Sequence, residues 1–192
     1  MAEILVDKNK WLKLWEKNPM LRPYIAKVTA NFGVGESGMR LEKAKTVCEQ
    51  ITGQKPKETR SKMTIRDFAV KKFEPIGCKV TLRGEKAKEF LEKALEAKGK
   101  IIPPSAFDNE GNISFGIEEH IDIPGTRYDP DLGVFGFDVS ITIERPGFRI
   151  KRRHVRPRKI PKKHRIKKEE AMTLLMEEFG IEITESPVEL YY

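Results

Sequence analysis

The sequence predicts an α+β fold, a two-layer sandwich with a mainly antiparallel sheet. Helices cover one face of that sheet, and the opposite face is polar. Two observations predict it. Residues 24–32 and 76–83 each alternate apolar with polar side chains, as do 113–117 and 137–143 over shorter runs. Successive side chains on a strand point to opposite faces, so each run buries one face and shows water the other. Three further segments, 41–51, 87–95 and 171–179, repeat their apolar residues at helical spacing. Alternating strands pair antiparallel with one face covered, and amphipathic helices supply the cover. The chain of 192 residues suits one domain with a sizeable core, spanning 1–192.

The elements follow in order. Trp11, Leu12, Leu14 and Trp15 form the apolar side of a short helix that ends at Asn18-Pro19. The first strand places Tyr24, Ala26, Val28, Ala30 and Phe32 on one side. A helix from about Ser37 carries Leu41, Ala44, Val47, Cys48 and Ile51, with Gly53 placed to cap it. A second extended stretch, polar and basic, runs from about Lys55 to Ile65, and residues 62–73 read as a long hairpin connection. The clearest strand buries Ile76, Cys78, Val80 and Leu82. After Gly84 a helix presents Ala87, Phe90, Leu91, Ala94 and Leu95, and Gly99 stops it. Residues 103–104 and 108–112 are turn material. Two strands, with Ile113, Phe115 and Ile117 and then Phe137, Val139, Ile141 and Ile143, flank an irregular loop over 121–136. A last helix over 168–179 ends at Gly180.

Charge is concentrated. The chain has 37 Lys+Arg against 29 Asp+Glu, a net of +8, yet residues 145–168 alone hold 13 of the cations and no acid. The rest of the chain is therefore net acidic, and seven Glu fall in residues 169–192. A like-charged block repels itself and often serves as a nucleic-acid arm. Pro146, Pro157 and Pro161 suit an extended arm that orders on RNA. In it Arg149, Arg152, Arg153, Arg156 and Arg158 would meet phosphates with little sequence preference. Cys48 and Cys78 fall on apolar faces and read as small reduced core residues. No apolar run approaches the roughly 20 residues of a membrane span, and the first ten residues do not read as a leader. These features suggest a cytoplasmic protein.

The polar strand positions carry Lys27, Thr29 and Asn31, then Lys79, Thr81 and Arg83. None of these is a carboxylate. Such side chains hydrogen-bond phosphates, 2′-hydroxyls and base edges, which favours an RNA-facing sheet. Gly33, Gly35 and Gly38 match G-x-G-x-x-G, but a dinucleotide-binding strand would be a continuous apolar run, and this one alternates. The glycines are instead read as a sharp turn with N–H groups free for an anion. His120, His154 and His164 are scattered, with no metal spacing, and no Ser or Cys has a base beside it. Nothing indicates an enzyme, a metal or a cofactor.

Several segments taken together resemble one family. They are Asn31-Phe32-Gly33-Val34-Gly35, Thr52-Gly53-Gln54-Lys55-Pro56 and the run from Pro75 to Gly84, with Asn18-Pro19-Met20 before them and Phe115-Gly116-Ile117 and Ile123-Pro124 after. In order and spacing they resemble the large-subunit ribosomal protein five family, over about residues 18–146. The basic extension resembles its archaeal and eukaryotic branch. The resemblance implies a structural constituent of the large ribosomal subunit. It would bind 5S rRNA and the 23S-type large-subunit rRNA in the central protuberance. It implies 5S rRNA contacts for Asn31, Gln54, Lys55, Thr81 and Arg83, within a candidate set that also holds Lys27, Thr29, Gly33, Gly35, Thr59 and Lys79. It further implies that Lys62, Met63, Thr64, Ile65, Arg66, Asp67 and Phe68 form a loop near the peptidyl-site tRNA, with Asp67 where the bacterial pattern has glycine. A small-subunit head protein would be a partner across the subunit interface. The rival readings are a nucleotide-dependent enzyme using the glycine turn and a non-specific RNA chaperone acting through the basic arm.

Overall fold

The computed structural model describes residues 8–184. In chain order they form α1 (Lys8–Lys17), β1 (Tyr24–Gly33), α2 (Met39–Thr52), β2 (Lys57–Arg60), β3 (Pro75–Leu82), α3 (Glu85–Ala97), β4 (Ile101–Ile102), β5 (Ile113–Ile117), β6 (Phe137–Glu144), α4 (Arg149–Arg152), α5 (Lys168–Phe179) and β7 (Glu182–Ile183). Short 3₁₀ turns lie at Pro19–Leu21, Pro104–Ala106, His120–Asp122 and Lys162–His164. The fold is α+β with a mainly antiparallel sheet, as the alternation predicts. The chain divides into two compact units, one of residues 28–98 and 115–140, the other of residues 8–27, 99–114 and 141–184.

The five-stranded sheet, in the order β2-β3-β1-β6-β5, lies mostly among residues of the first unit. β3 runs antiparallel to both β1 and β2. Antiparallel pairing beside the glycine turn removes the dinucleotide-binding geometry, which needs a parallel sheet. Val28, Ala30 and Phe32 of β1 and Cys78, Val80 and Leu82 of β3 are buried. Above them lie Leu41, Ala44, Val47 and Cys48 of α2 and Phe90, Leu91, Ala94 and Leu95 of α3, also buried. Phe137 of β6 stacks on Phe32 at 4.7 Å between ring centroids, and Phe90 tilts against it at 6.5 Å. Each such side chain contributes about 1.5–3 kcal/mol on burial. Gly53 ends α2 in the left-handed region (φ 61°) and donates its N–H to the Glu49 carbonyl, the conformation a residue without Cβ adopts most cheaply. Cys48 and Cys78 are buried free thiols, and the adjacent Cys78 sulfur together with burial pushes the Cys48 thiol up.

β2 is shorter than the polar stretch suggests, ending at Arg60 with a shift of register between Thr59 and Arg60. Residues 61–74 then close on themselves. Ser61 N–H donates to the Glu74 carbonyl at 2.9 Å, and Ile65 and Val70 exchange both backbone bonds.

The irregular loop predicted over 121–136 is anchored by His120, which is buried. Its Nδ1 accepts the Phe135 N–H at 3.3 Å, and its own backbone N–H donates to the Phe135 carbonyl at 3.0 Å. Burial lowers the His120 pKa, outweighing Glu119 and Asp122 nearby. Protonation would also take away the Nδ1 acceptor. With the folded pKa below the unfolded one, the stability due to the neutral ring is complete at neutral pH. It falls away as acidification protonates the unfolded chain first. His120→Gln is expected to flatten the loss of thermal stability between neutral pH and mild acid, measured by calorimetry.

In the second unit α5 is buried along most of its first half, through Glu170, Ala171, Met172, Thr173, Leu174 and Leu175. Trp11 and Trp15 of α1, Ile102, Ile113, Ile160, Ile166 and Ile181 complete the core, and β4 pairs in parallel with β7. Two features depart from the sequence reading. Among the seven Glu of residues 169–192, Glu170 is fully buried. Its carboxylate takes both oxygens to Arg145 Nη2 and accepts the Trp15 indole N–H at 3.2 Å. Nor do residues 145–168 form an extended arm. Arg149–Arg152 makes one helical turn, and Arg158 N–H donates to the Ile150 carbonyl at 3.2 Å. His164 bonds the Pro146 carbonyl at 3.0 Å. Ile160 and Ile166 anchor the run in the core. Two isoleucines among cations leave no periodicity to read, but they are enough to fold the segment back.

Candidate nucleic-acid interface

Pairing register fixes which side chains share the uncovered face. Thr29 lies opposite Thr81, Asn31 opposite Lys79, and Gly33 opposite Gly77. On the other side of β3, Lys57 lies opposite Lys79 and Thr59 opposite Gly77. Three adjacent strands therefore present Lys57, Thr59, Lys79, Thr81, Thr29 and Asn31 together. Lys57 and Lys79 are exposed and the others half-buried. Lys27 precedes them on β1, half-buried, and Arg83 follows β3, exposed. Gln54 and Lys55, just beyond α2, are exposed as well. On β6 and β5, Asp138 and Gly116 show the same alternation, and a Cβ at Gly116 would meet Asp138 Oδ1 at 3.6 Å.

Gly77, near the start of β3, is a position where only glycine fits. A Cβ there would stand 2.5 Å from the Phe32 carbonyl oxygen and 2.9 Å from Thr59 Oγ1. That close approach is made within the sheet itself: Gly77 is buried beside the Phe32 carbonyl and the Thr59 side chain, while Gly33 across from it is exposed with open space around it.

The glycine turn is not the anion cradle that the sequence suggests. The N–H groups of Val34 and Gly35 both donate to the Ile76 carbonyl, at 3.2 and 2.8 Å. Glu74 closes the turn: its carboxylate accepts the Ser37 hydroxyl at 2.6 Å and the Lys71 N–H at 2.7 Å. Those two bonds lower the Glu74 pKa. A carboxylate at this spot repels a phosphate.

The 62–68 loop projects apolar surface. Met63 is 63% exposed and Phe68 75%, with Phe73 beyond them at 64%. Ala69 and Phe73 hold positive φ, which fixes the loop's reversal. In the basic segment the five arginines differ. Arg152 pairs with Glu144 at 2.6 Å, and Arg153 Nε donates to the Arg156 carbonyl at 2.9 Å. The side chains of Arg149, Arg156 and Arg158 have no ion-pair partner among the described residues.

Comparison with known proteins gives two family matches. Residues 18–71 match "Ribosomal protein L5", and residues 75–182 match "ribosomal L5P family C-terminus". The chain belongs to the ribosomal L5 family. Among its relatives is the large ribosomal subunit protein uL5 of Sulfurisphaera tokodaii, 56% identical over 88% of this chain and 96% of that protein. The uL5 of Aeropyrum pernix is 54% identical over 87% and 88%, and that of Methanosphaera stadtmanae 51% identical over 86% and 99%. The L5 family is structural and non-enzymatic, so the rival reading of a nucleotide-dependent enzyme falls. Among the described residues no group of His, Cys, Asp or Glu could hold a metal ion.

Lys57, Gly77 and Asp138 join the face unforeseen. Lys57 and Gly77 were hidden because register, not alternation within one strand, decides what lies beside Lys79 and Thr59. The sign of their presence was nonetheless there: Lys57 and Thr59 have the same odd-position parity.

Proposed function

We propose that the protein is a structural constituent of the large ribosomal subunit, in the cytoplasm, and that it reads 5S rRNA with the uncovered face of its sheet. The observation that carries this reading is the alignment of Lys57 and Thr59, Lys79 and Thr81, and Thr29 and Asn31 on three neighbouring strands. Hydroxyls and an amide can reach sugars and base edges, and the lysines reach phosphates. Lys27, Arg83, Gln54 and Lys55 extend the contact. Membership of the L5 family supports 5S rRNA as the partner, in the central protuberance.

The basic segment binds 23S-type large-subunit rRNA through phosphate contacts. The exposed Met63 and Phe68 suit the 62–68 loop to pack against a folded tRNA at the peptidyl site, and a small-subunit head protein completes the partners. Binding and positioning are the whole mechanism, with no cofactor.

The test is a titration of 5S rRNA and an unrelated RNA of equal length across a salt series. The wild type should prefer 5S rRNA. Thr81→Ala should lose about 1–3 kcal/mol of that preference while keeping the wild-type salt slope, since no phosphate charge is removed. Equal binding of both RNAs, with sensitivity only to loss of the basic segment, would replace this reading with that of a non-specific chaperone.

A further inference from the structure

Beside α4 lies a cavity of about 410 Å³, lined by Phe148, Pro157 and Ile160 and rimmed by Lys151, Arg158, Lys159, Arg165 and Glu110. The volume falls in the range of sites for small ligands. Its chemistry is mixed in an informative way. The walls are apolar. The rim is cationic, with one carboxylate. A bare phosphate has no use for the walls, and a purely anionic ligand meets Glu110. A purely apolar ligand would desolvate four cations. A flat ring joined to a phosphate satisfies both parts.

We infer that this cavity is a base-binding pocket that takes an unstacked guanosine of an RNA strand. This rests on the reading of the protein as RNA-binding. Phe148, whose ring tilts against that of His164 at 5.8 Å between centroids, lines the cavity beside the cations, and base–aromatic stacking works for any base. Glu110 supplies the selection. An ionised carboxylate accepts only. Guanine presents two adjacent donors, N1–H and the N2 amino group, that match its two oxygens. Adenine and cytosine each place a ring acceptor beside their amino donor, and uracil flanks its one N–H with two carbonyls. Those three bases turn an acceptor towards the carboxylate.

Glu110 is held in place before any ligand arrives. Arg165 Nη1 donates to its Oε1 at 2.9 Å, and the carboxylate keeps further acceptor capacity. Its turn is closed by Asp108 N–H to the Asn112 carbonyl at 2.8 Å and Gly111 N–H to the Asp108 carbonyl at 3.0 Å. Gly111 is buried at φ 78°, and a Cβ there would strike Ile166 Cγ2 at 2.7 Å. The turn thus sits on the same Ile166 that anchors the basic segment. The other wall is set by Ile160 in the core and by the Arg158–Ile150 backbone bond.

The test uses the full chain and four hexanucleotides, oligouridine and the same strand with a single G, A or C at the third position. The G-containing strand is expected to bind roughly 10-fold or more above the others, the discrimination of one bidentate base contact. Glu110→Gln should erase that ratio without weakening oligouridine. Phe148→Leu should weaken all four strands and leave the ratio in place. Melting curves establish that each variant is folded, and Glu110 is half exposed, so its replacement is tolerated by the core. Equal binding of the four strands, or a G preference that survives Glu110→Gln, overturns the pocket. A parallel 5S rRNA titration separates the two readings. If the 5S preference persists without a G preference, the pocket alone is wrong. If the G preference appears without a 5S preference, the pocket stands and the sheet reading falls.

Discussion

Glu170→Ala is expected to destabilise the protein by about 3–5 kcal/mol, the cost of leaving one member of a buried ion pair alone. Glu170 is fully buried and Arg145 only 5% exposed. Removing the carboxylate strands the Arg145 guanidinium and the Trp15 indole N–H in one step. Domains of this size have about 5–15 kcal/mol in total, so the variant should melt far below the wild type by calorimetry. The double replacement Arg145→Met with Glu170→Leu should recover much of the loss, because apolar packing can substitute for a buried pair. A double variant as unstable as the single one would show that the cost comes from packing of α5 instead of from the unpaired charge.

Replacing Arg149, Arg156 and Arg158 together by Gln is expected to lower the slope of log affinity against log salt by about 2–3, at roughly 0.7–0.9 per phosphate contact. These side chains are free for counterion exchange. Arg152→Gln should behave differently, moving thermal stability through its lost Glu144 partner and changing the slope little. The measurement is a salt series with large-subunit rRNA fragments. Equal slope changes from Arg152 and from each of the free arginines would mean that the ion pair opens on the RNA.

What could be read in the sequence was whatever depends on local periodicity. Alternation in 24–32 and 76–83 gave the strands, the buried sides from Val28 and Cys78 onward and most of their outward residues, although Tyr24, on the apolar side, is 45% exposed. Gly53 and Gly180 both take the left-handed conformation at helix ends, as their positions after periodic runs suggest. What could not be read depends on who meets whom. Glu58 resembles any strand-borne acid, yet Lys45 of α2 meets it at 2.6 Å. Glu170 looks like a first-turn helix acid until Arg145 is brought to it from 25 residues away. The glycine turn fitted an anion motif by spacing, but the Ile76 carbonyl claims its N–H groups. The basic run hid its fold for a similar reason, since Ile160 and Ile166 have meaning only once a core exists to receive them.

β2 closes one end of the sheet, and its form bears on the time before assembly. A newly made chain has the polar face of its sheet uncovered and, in β2, an outer strand with hydrogen-bonding groups on offer. That is the situation in which sheets of two molecules join and precipitate. Here the outer strand has four residues, Lys57, Glu58, Thr59 and Arg60, three of them charged, and it breaks register at Thr59/Arg60. A second copy would have to match a short, kinked, charged margin. The same lysine proposed to face the RNA thus also guards the unassembled protein against its own kind.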